Sequence, residues 1–391
     1  MCDKIDLCIH QIEQSISSNR QLLSSVTIKD GIIGLSIFYF YYARYTGKAE
    51  HLQKVADYLE TCFEGLEQHQ LKDFELCDLV ELGRYLLFLF RENLLEVETI
   101  TAYLDEIDAF IKEVLQREID NKNLNTVLGV IGAGHYFVEG NGLKDYSTEL
   151  NDIIQLISTA AHVDSDGSIF WYFNSSHHGN LQVRRFGTTN GQAGIIFFLL
   201  RLYEHDFKRE ICADMIHKGL QNLIKYRLAE GYVRLYPFGS APESQEPLQN
   251  LAYGDVGIGN VFYQCGELFD NDYYRREGIK IIENAARFRD DAQKYIKDAQ
   301  LLHGAAGLLS IFNRYKQLIK SESISASSAH WLEEVLNFNK STTPWAGFDT
   351  YYNGYSDHFQ ISFAYGISGI GIALIGHKLS LPSDYLIFFN Y

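Results

Sequence analysis

His303 and Tyr253 each stand one residue before two glycines spaced three apart: Gly304 and Gly307 after the histidine, Gly254 and Gly257 after the tyrosine. Asn190 holds the same place before Gly191 and Gly194. An imidazole, a phenol and a carboxamide can hydrogen-bond a ligand, and the imidazole can also ligate a metal. A glycine pair ahead of an apolar run, as in N-L-A-Y-G-D-V-G-I-G at 250–259, also invites a phosphate-loop reading. That reading fails. A P-loop needs a lysine after its last glycine, and a dinucleotide turn needs a hydrophobic strand before it and an acidic partner after it. Neither surrounds these glycines.

The glycine pair is instead one copy of a repeat. Its first glycine recurs at Gly31, Gly129, Gly191, Gly254, Gly304 and Gly366. The long interval between Gly31 and Gly129 holds a worn copy, Cys77 to Leu87, with Asp78 and Glu81 where the glycines would stand. Seven copies of on the order of 50–60 residues suit an array of helical pairs. After each glycine pair comes an almost wholly apolar stretch, such as LSIFYFYYARY at 35–45 or IIFFLLRLY at 195–203, too long for a strand and suited to a helix buried on most faces. Between these lie amphipathic segments, where Leu52, Val55, Leu59, Cys62 and Leu66 step by three and four. Apolar inner helices therefore alternate with half-polar outer helices.

The last copy, ISFAYGISGIGIALIGHKL, is no more polar than the others, whereas an open solenoid needs polar caps. The expected fold is all-α: one domain over residues 1–391, a closed α/α toroid of seven helical hairpins with fourteen core helices. The turn-rich stretches 163–190 and 230–250 are expected to be loops over one end. Glycine at each helix start is expected because it has no side chain where helices crowd and tolerates unusual backbone angles. Symmetry then makes the residue before each first glycine equivalent: Asp30, Cys77, Leu128, Asn190, Tyr253, His303 and Tyr365. They should lie at one level at the mouth, a polar ring in front of an apolar barrel and the default binding site. The loop from His177 and His178 to Arg184 and Arg185 is a candidate basic rim over that mouth, suited to a carboxylate-bearing ligand.

A hydrophobic share of 46% suits a large core, and five prolines in 391 residues leave long helices uninterrupted. The net charge of −16 argues against nucleic acid and anionic membrane as partners. The start, MCDKIDLCIHQIEQ, has neither a basic nor an apolar signal region, and no run reaches the length of a membrane span, so a cytoplasmic protein is expected. The six cysteines, among them Cys212 and Cys265, form no C-x-x-C pair and read as reduced, mostly buried thiols.

With A-Y-G-D-V-G-I-G in the fifth copy and L-H-G-A-A-G-L in the sixth, the chain resembles the lanthionine synthetase C-like (LanC) proteins over roughly residues 25–380. The resemblance implies an α/α toroid that modifies ribosomal peptides. It implies a zinc-dependent cyclase that adds a cysteine thiolate to a dehydroamino acid, with a precursor peptide and a dehydratase as partners. A metal lowers the thiol pKa in such chemistry. The family's first zinc cysteine falls on Ala252, before the matching Tyr253. Its second falls on Leu302, before the matching ligand His303. The catalytic histidine falls on Asn190, the third-copy aspartate near Asn125, and an arginine on Leu248. A catalytic zinc usually takes three protein ligands, so His303 alone predicts no bound zinc, and the spacing of Asp255, Cys265 and His135 argues for no rebuilt site.

Three functions follow. The first is a LanC-like protein that has lost zinc-dependent cyclisation and binds a peptide or partner enzyme, with Asp30, Asn190, Tyr253, His303, Tyr365, Arg184 and Arg185 as contacts. The second is a zinc-independent cyclase using His303, Tyr253 or Asn190 as catalytic residues that position the enolate. The third is an α/α-toroid glycoside hydrolase, which needs paired acids such as Asp30, Asp78 or Asp255, although such toroids usually have six hairpins.

Overall fold

The computed structural model describes residues 2–68, 76–175, 181–240, 249–289, 296–340, 342–350 and 357–391. The apolar stretches form the expected inner helices: Ile32–Thr46, Leu76–Arg91, Val130–Gly140, Gln192–Glu204, Asp255–Leu268, Ala305–Leu318 and Ile367–Leu379. The half-polar segments form Ala49–Gln68, Val97–Asp120, Ser147–Thr159, Arg209–Ile224, Asp272–Arg287 and Glu322–Phe338. The remaining long helix is Cys2–Asn19, which packs against Ile367–Leu379 and so partners the last inner helix. Its buried Ile5, Ile9, Ile12 and Ile16 step by three and four. Each such side chain contributes about 1.5–3 kcal/mol on leaving water. Nothing in the sequence marks this helix as the last copy's partner, since the two lie at opposite ends of the chain.

The described residues gather into two compact units. One comprises Met1–Asp73, Leu248–Ala252 and Glu283–Phe389; the other comprises Phe74–Pro247, Tyr253–Ile282 and Asn390–Tyr391. No helix among the described residues is long and apolar enough to cross a membrane.

The first glycine of each intact copy caps its inner helix, and of the two expected reasons crowding holds at five positions whereas unusual backbone angles hold at one. Five of them, Gly31, Gly129, Gly191, Gly304 and Gly366, have φ between −147° and −114°, an extended backbone open to any residue. Only Gly254, with φ of 115°, needs the freedom of glycine. The others are fixed by a close approach of the preceding loop. A Cβ at Gly366 would overlap the carbonyls of Phe359 and Gln360, and one at Gly31 those of Ser25 and Thr27.

The second glycine seats the neighbouring copy. In the first unit, a Cβ at Gly307 would lie 3.1 Å from Leu251, one at Gly369 2.9 Å from Leu301, and one at Gly34 2.6 Å from Phe363. In the second unit, a Cβ at Gly194 would lie 2.8 Å from Thr126 and one at Gly257 2.9 Å from Thr188. Each contacting residue stands six before the second glycine of its own copy, so one register joins copy to copy. The Phe363–Gly34 contact joins the last copy to the first within the first unit.

The stretch 163–190 is not wholly irregular. His162–Val163 pairs antiparallel with Ile169–Phe170, and Phe173–Ser175 with Leu181–Val183.

Candidate functional site

In the first unit the loops before the helix starts are laced together by backbone hydrogen bonds. Ala252 N–H donates to the Leu302 carbonyl at 3.2 Å, Leu302 N–H to Ala364 at 2.9 Å, and Ala364 N–H to Lys29 at 2.8 Å. All four residues stand two before the first glycine of their copies. The fold therefore places Ala252 beside Leu302, the two positions to which the resemblance assigns zinc thiolates. Their side chains are hydrocarbon and offer a metal nothing; His303 offers one nitrogen.

His303 is partly exposed. Burial pushes its imidazole down to about 4, so it is neutral near neutral pH. Its ring lies 6.2 Å from that of Tyr365. Tyr365 meets Phe359 edge-on at 5.5 Å, and His358 lies over Phe359 at 4.0 Å. All four rings are partly exposed and form an aromatic group beside the Ala252–Leu302 pair's own loop. Asp30 accepts a hydrogen bond from the Thr27 hydroxyl.

In the second unit, Asn190 has a left-handed backbone with φ of 50°. Its Oδ1 accepts the Thr126 N–H at 3.1 Å, while its own N–H donates to Thr126 Oγ1 at 2.8 Å. This reciprocal pair locks the third and fourth copies together. Asn125 is likewise engaged: its Oδ1 accepts the amides of Val127 and Leu128, each at 2.8 Å, which shapes the turn into the next helix.

Tyr253 packs edge-on against Phe238 at 5.5 Å, and the Arg185 guanidinium lies 5.5 Å from the same ring. These two sequence candidates thus share one aromatic partner. Arg184 belongs to a different group. Its guanidinium lies 3.2 Å from the centre of the Phe170 ring and donates to Tyr226 Oη at 2.5 Å. Such cation–π contacts hold the charge over a ring.

The residues weighed as a rebuilt metal site are otherwise engaged. Asp255 is fully buried, and its carboxylate accepts the amides of Leu235 at 2.5 Å and Tyr236 at 3.1 Å. Cys265 is buried, as are Cys8, Cys62 and Cys212, all unpaired thiols. Burial pushes Cys8 up to about 11 and Cys212 up to about 12, so neither is a thiolate near neutral pH. His135 is buried against Phe197 and Phe198, which drives its imidazole well below its ordinary value. Among the described residues no three His, Cys, Asp or Glu side chains gather as metal ligands. His177, His178 and Leu248 lie outside the described residues, as do the side chains of Cys2 and Cys77.

Phe238, Phe359, His358 and Thr126 were not singled out from the sequence. Thr126 carried a signal, since it holds the six-before register in the third copy. Phe238 stands in a loop and Phe359 in the single helical turn His358–Ile361, and neither has a periodicity to mark it.

The chain is similar to known proteins over most of its length. The nisin biosynthesis protein NisC of Lactococcus lactis subsp. lactis is 21% identical over 310 residues, 72% of this chain and 69% of that protein. The solved structure of nisin cyclase superposes with a TM-score of 0.73 at 18% identity, over 97% of this chain and 96% of that one, which establishes a shared fold. A glycosyl hydrolase family 88 structure from Bacteroides vulgatus reaches a TM-score of only 0.39 at 10% identity, over 99% of each chain, and nothing rests on it. The family model described as lanthionine synthetase C-like protein matches residues 24–384. With its capped inner helices and that match over nearly all of its length, the chain belongs to the lanthionine synthetase C-like family.

Proposed function

We propose that this protein acts in the modification of ribosomal, lanthipeptide-type peptides, and that it binds a precursor peptide or a partner such as a dehydratase without zinc-dependent thioether cyclisation. The observation that carries the reading is the pair Ala252 and Leu302, adjacent through a 3.2 Å backbone hydrogen bond and lacking any side-chain donor. A catalytic zinc needs about three protein ligands, and this donor set supplies His303 alone.

What the chain's own residues offer is recognition. Each unit carries its own contacts. In the first these are His303, Tyr365 and Asp30; in the second, Tyr253, Asn190, Arg185 and, on its separate aromatic group, Arg184. Partly exposed aromatic rings with polar edges give large contact area at low conformational cost. The neutral His303 imidazole can donate and accept hydrogen bonds with peptide groups.

A zinc-independent cyclase is the second reading, favoured by the same imidazole lying 6.2 Å from Tyr365. It ranks lower. A base whose pKa is about 4 holds a proton poorly at neutral pH, and general-base catalysis works best near the operating pH. The carboxamide oxygen of Asn190, the atom nearest in kind to a base, is already engaged by the Thr126 amide. For a glycoside hydrolase, the Asp255 carboxylate is buried and bound to two amides.

The test is to mix the protein with a dehydrated, cysteine-containing precursor and follow both binding and free thiol. Binding without thiol loss supports the proposal. Thiol loss above the uncatalysed rate, abolished by Tyr253→Phe or His303→Ala, supports the cyclase instead.

A further inference from the structure

The second unit contains a cavity of about 560 Å³ between the turn 121–125 and the ribbon strand Leu181–Val183, within the size range of ligand sites. Its lining includes Lys122, Asn125, His162, Tyr172, Gln182 and Asn190. Among the described residues no aspartate or glutamate lines it, in a chain with 50 acidic residues against 34 Lys and Arg. Screening at physiological salt acts over about 8 Å, so the lining rather than the overall charge decides what enters.

The lining also has a surplus of donors. Asn125 Oδ1 is taken by two backbone amides and Asn190 Oδ1 by the Thr126 amide. Because those partners can only donate, the contacts fix which end of each carboxamide is oxygen. The nitrogen ends are left over, and neither makes a hydrogen bond to the described residues. Lys122 is exposed and forms no ion pair among the described residues. Glu118, on the preceding helix, is held by Asn123 Nδ2 at 2.7 Å and by Arg117 at 3.2 Å. The same lining carries an aromatic pair, His162 and Tyr172, edge to face at 4.8 Å.

We infer that this cavity binds a carboxylate-bearing segment of peptide, with its acidic side chains toward Lys122 and the two carboxamide nitrogens and its apolar side chains on His162 and Tyr172. The assignment deepens the peptide-binding reading above and rests on it. Ionised acceptors strengthen such hydrogen bonds about twofold over neutral ones.

The experiment measures fluorescence anisotropy of the full chain with three labelled, end-capped peptides of one length: alternating Glu and Leu, Gln and Leu, and Lys and Leu. The Glu probe should bind about tenfold tighter than the Gln probe at low salt. Lys122→Ala should weaken it by roughly fivefold without affecting the Gln probe. Gln182→Ala should weaken both probes, and both variants should keep the parent's circular dichroism. Equal affinity for Glu and Gln probes, tighter binding of the Lys probe, an unchanged affinity in Lys122→Ala, or no binding of any probe would each overturn the assignment. If a dehydrated precursor still binds while the Glu and Gln probes are equal, the peptide-binding reading stands and the cavity assignment alone falls.

Discussion

Ala252 and Leu302 face each other across a backbone hydrogen bond, Ala252 N–H to the Leu302 carbonyl at 3.2 Å. Fifty residues apart in sequence, they are brought together by the loops that lead into consecutive inner helices. The two positions that the resemblance assigns to zinc thiolates are therefore adjacent, next to His303 in the chain, and both side chains are hydrocarbon.

It follows that restoring sulfur should restore a metal. The protein purified without chelator is expected to carry no stoichiometric zinc by elemental analysis. The double variant Ala252→Cys, Leu302→Cys is expected to carry about one zinc per chain, and to lose it when His303 is also changed to Ala. About one zinc in the parent protein would show that its donors lie elsewhere.

The second glycines should tolerate no side chain. Gly369→Ala would drive a methyl into the Phe363 carbonyl and to 2.9 Å from Leu301. A loss of about 1–3 kcal/mol in urea unfolding is expected, since the obstacle is backbone and cannot swing aside. Gly65→Ala is the control: nothing lies within 4 Å, and its helical position predicts a gain of about 0.5–1 kcal/mol. Equal effects at the two positions would refute the register that joins copy to copy.

These glycines also show what was legible from sequence. Their recurrence located six helix starts, because a residue required by close approach repeats wherever the approach repeats. The worn copy fell inside Leu76–Arg91 for the same reason of spacing. The cause was half misread, since extended angles at five of the six leave crowding by the loop as the constraint. Cys2–Asn19 was missed as the partner of the last inner helix because that pairing joins opposite ends of the chain. The ribbons after His162 have strands of two and three residues, too short for alternation to register. Tyr253 and His303 stood out in the sequence only by their position before a glycine pair, and their role in binding is a proposal. The engagement of Asn190 by Thr126, 64 residues away, was invisible without the fold.

Acid should weaken the fold through His303. Its folded pKa, about 4, lies below the ordinary histidine value, so between those two values the unfolded chain binds more protons. Stability from this group is present above about pH 6.5 and is lost as pH falls toward 4. His303→Gln should flatten that part of a stability–pH profile, and NMR of the imidazole should show it neutral at pH 6. A His303 that titrates at its ordinary value would contradict the burial described.

Unfolding should be a single event. Neither unit is a continuous stretch of chain, and the helix Asp272–Arg287 supplies residues to both. Trp331 is buried in the first unit and Trp171 in the second. Variants retaining one or the other should report coincident urea transitions, with proteolysis confined to 163–190 or 230–250. Separate midpoints would establish two independently folding units.

Recognition should depend on Tyr253 more than on the arginines. Tyr253→Ala is expected to cost about 1–3 kcal/mol of peptide binding by calorimetry. Arg184→Ala, whose guanidinium is spent on Phe170 and Tyr226, should cost less. The reverse order would move the contact surface to the 184–185 loop.

The central claim is that the fold binds its peptide while the metal chemistry is gone. The most direct measurement incubates the protein, with zinc supplied, with a dehydrated cysteine-containing precursor, and follows complex formation and free thiol in the same sample. The account predicts a saturable complex with thiol lost only at the rate seen without protein. Thiol consumption accelerated by the protein and dependent on added zinc would contradict it.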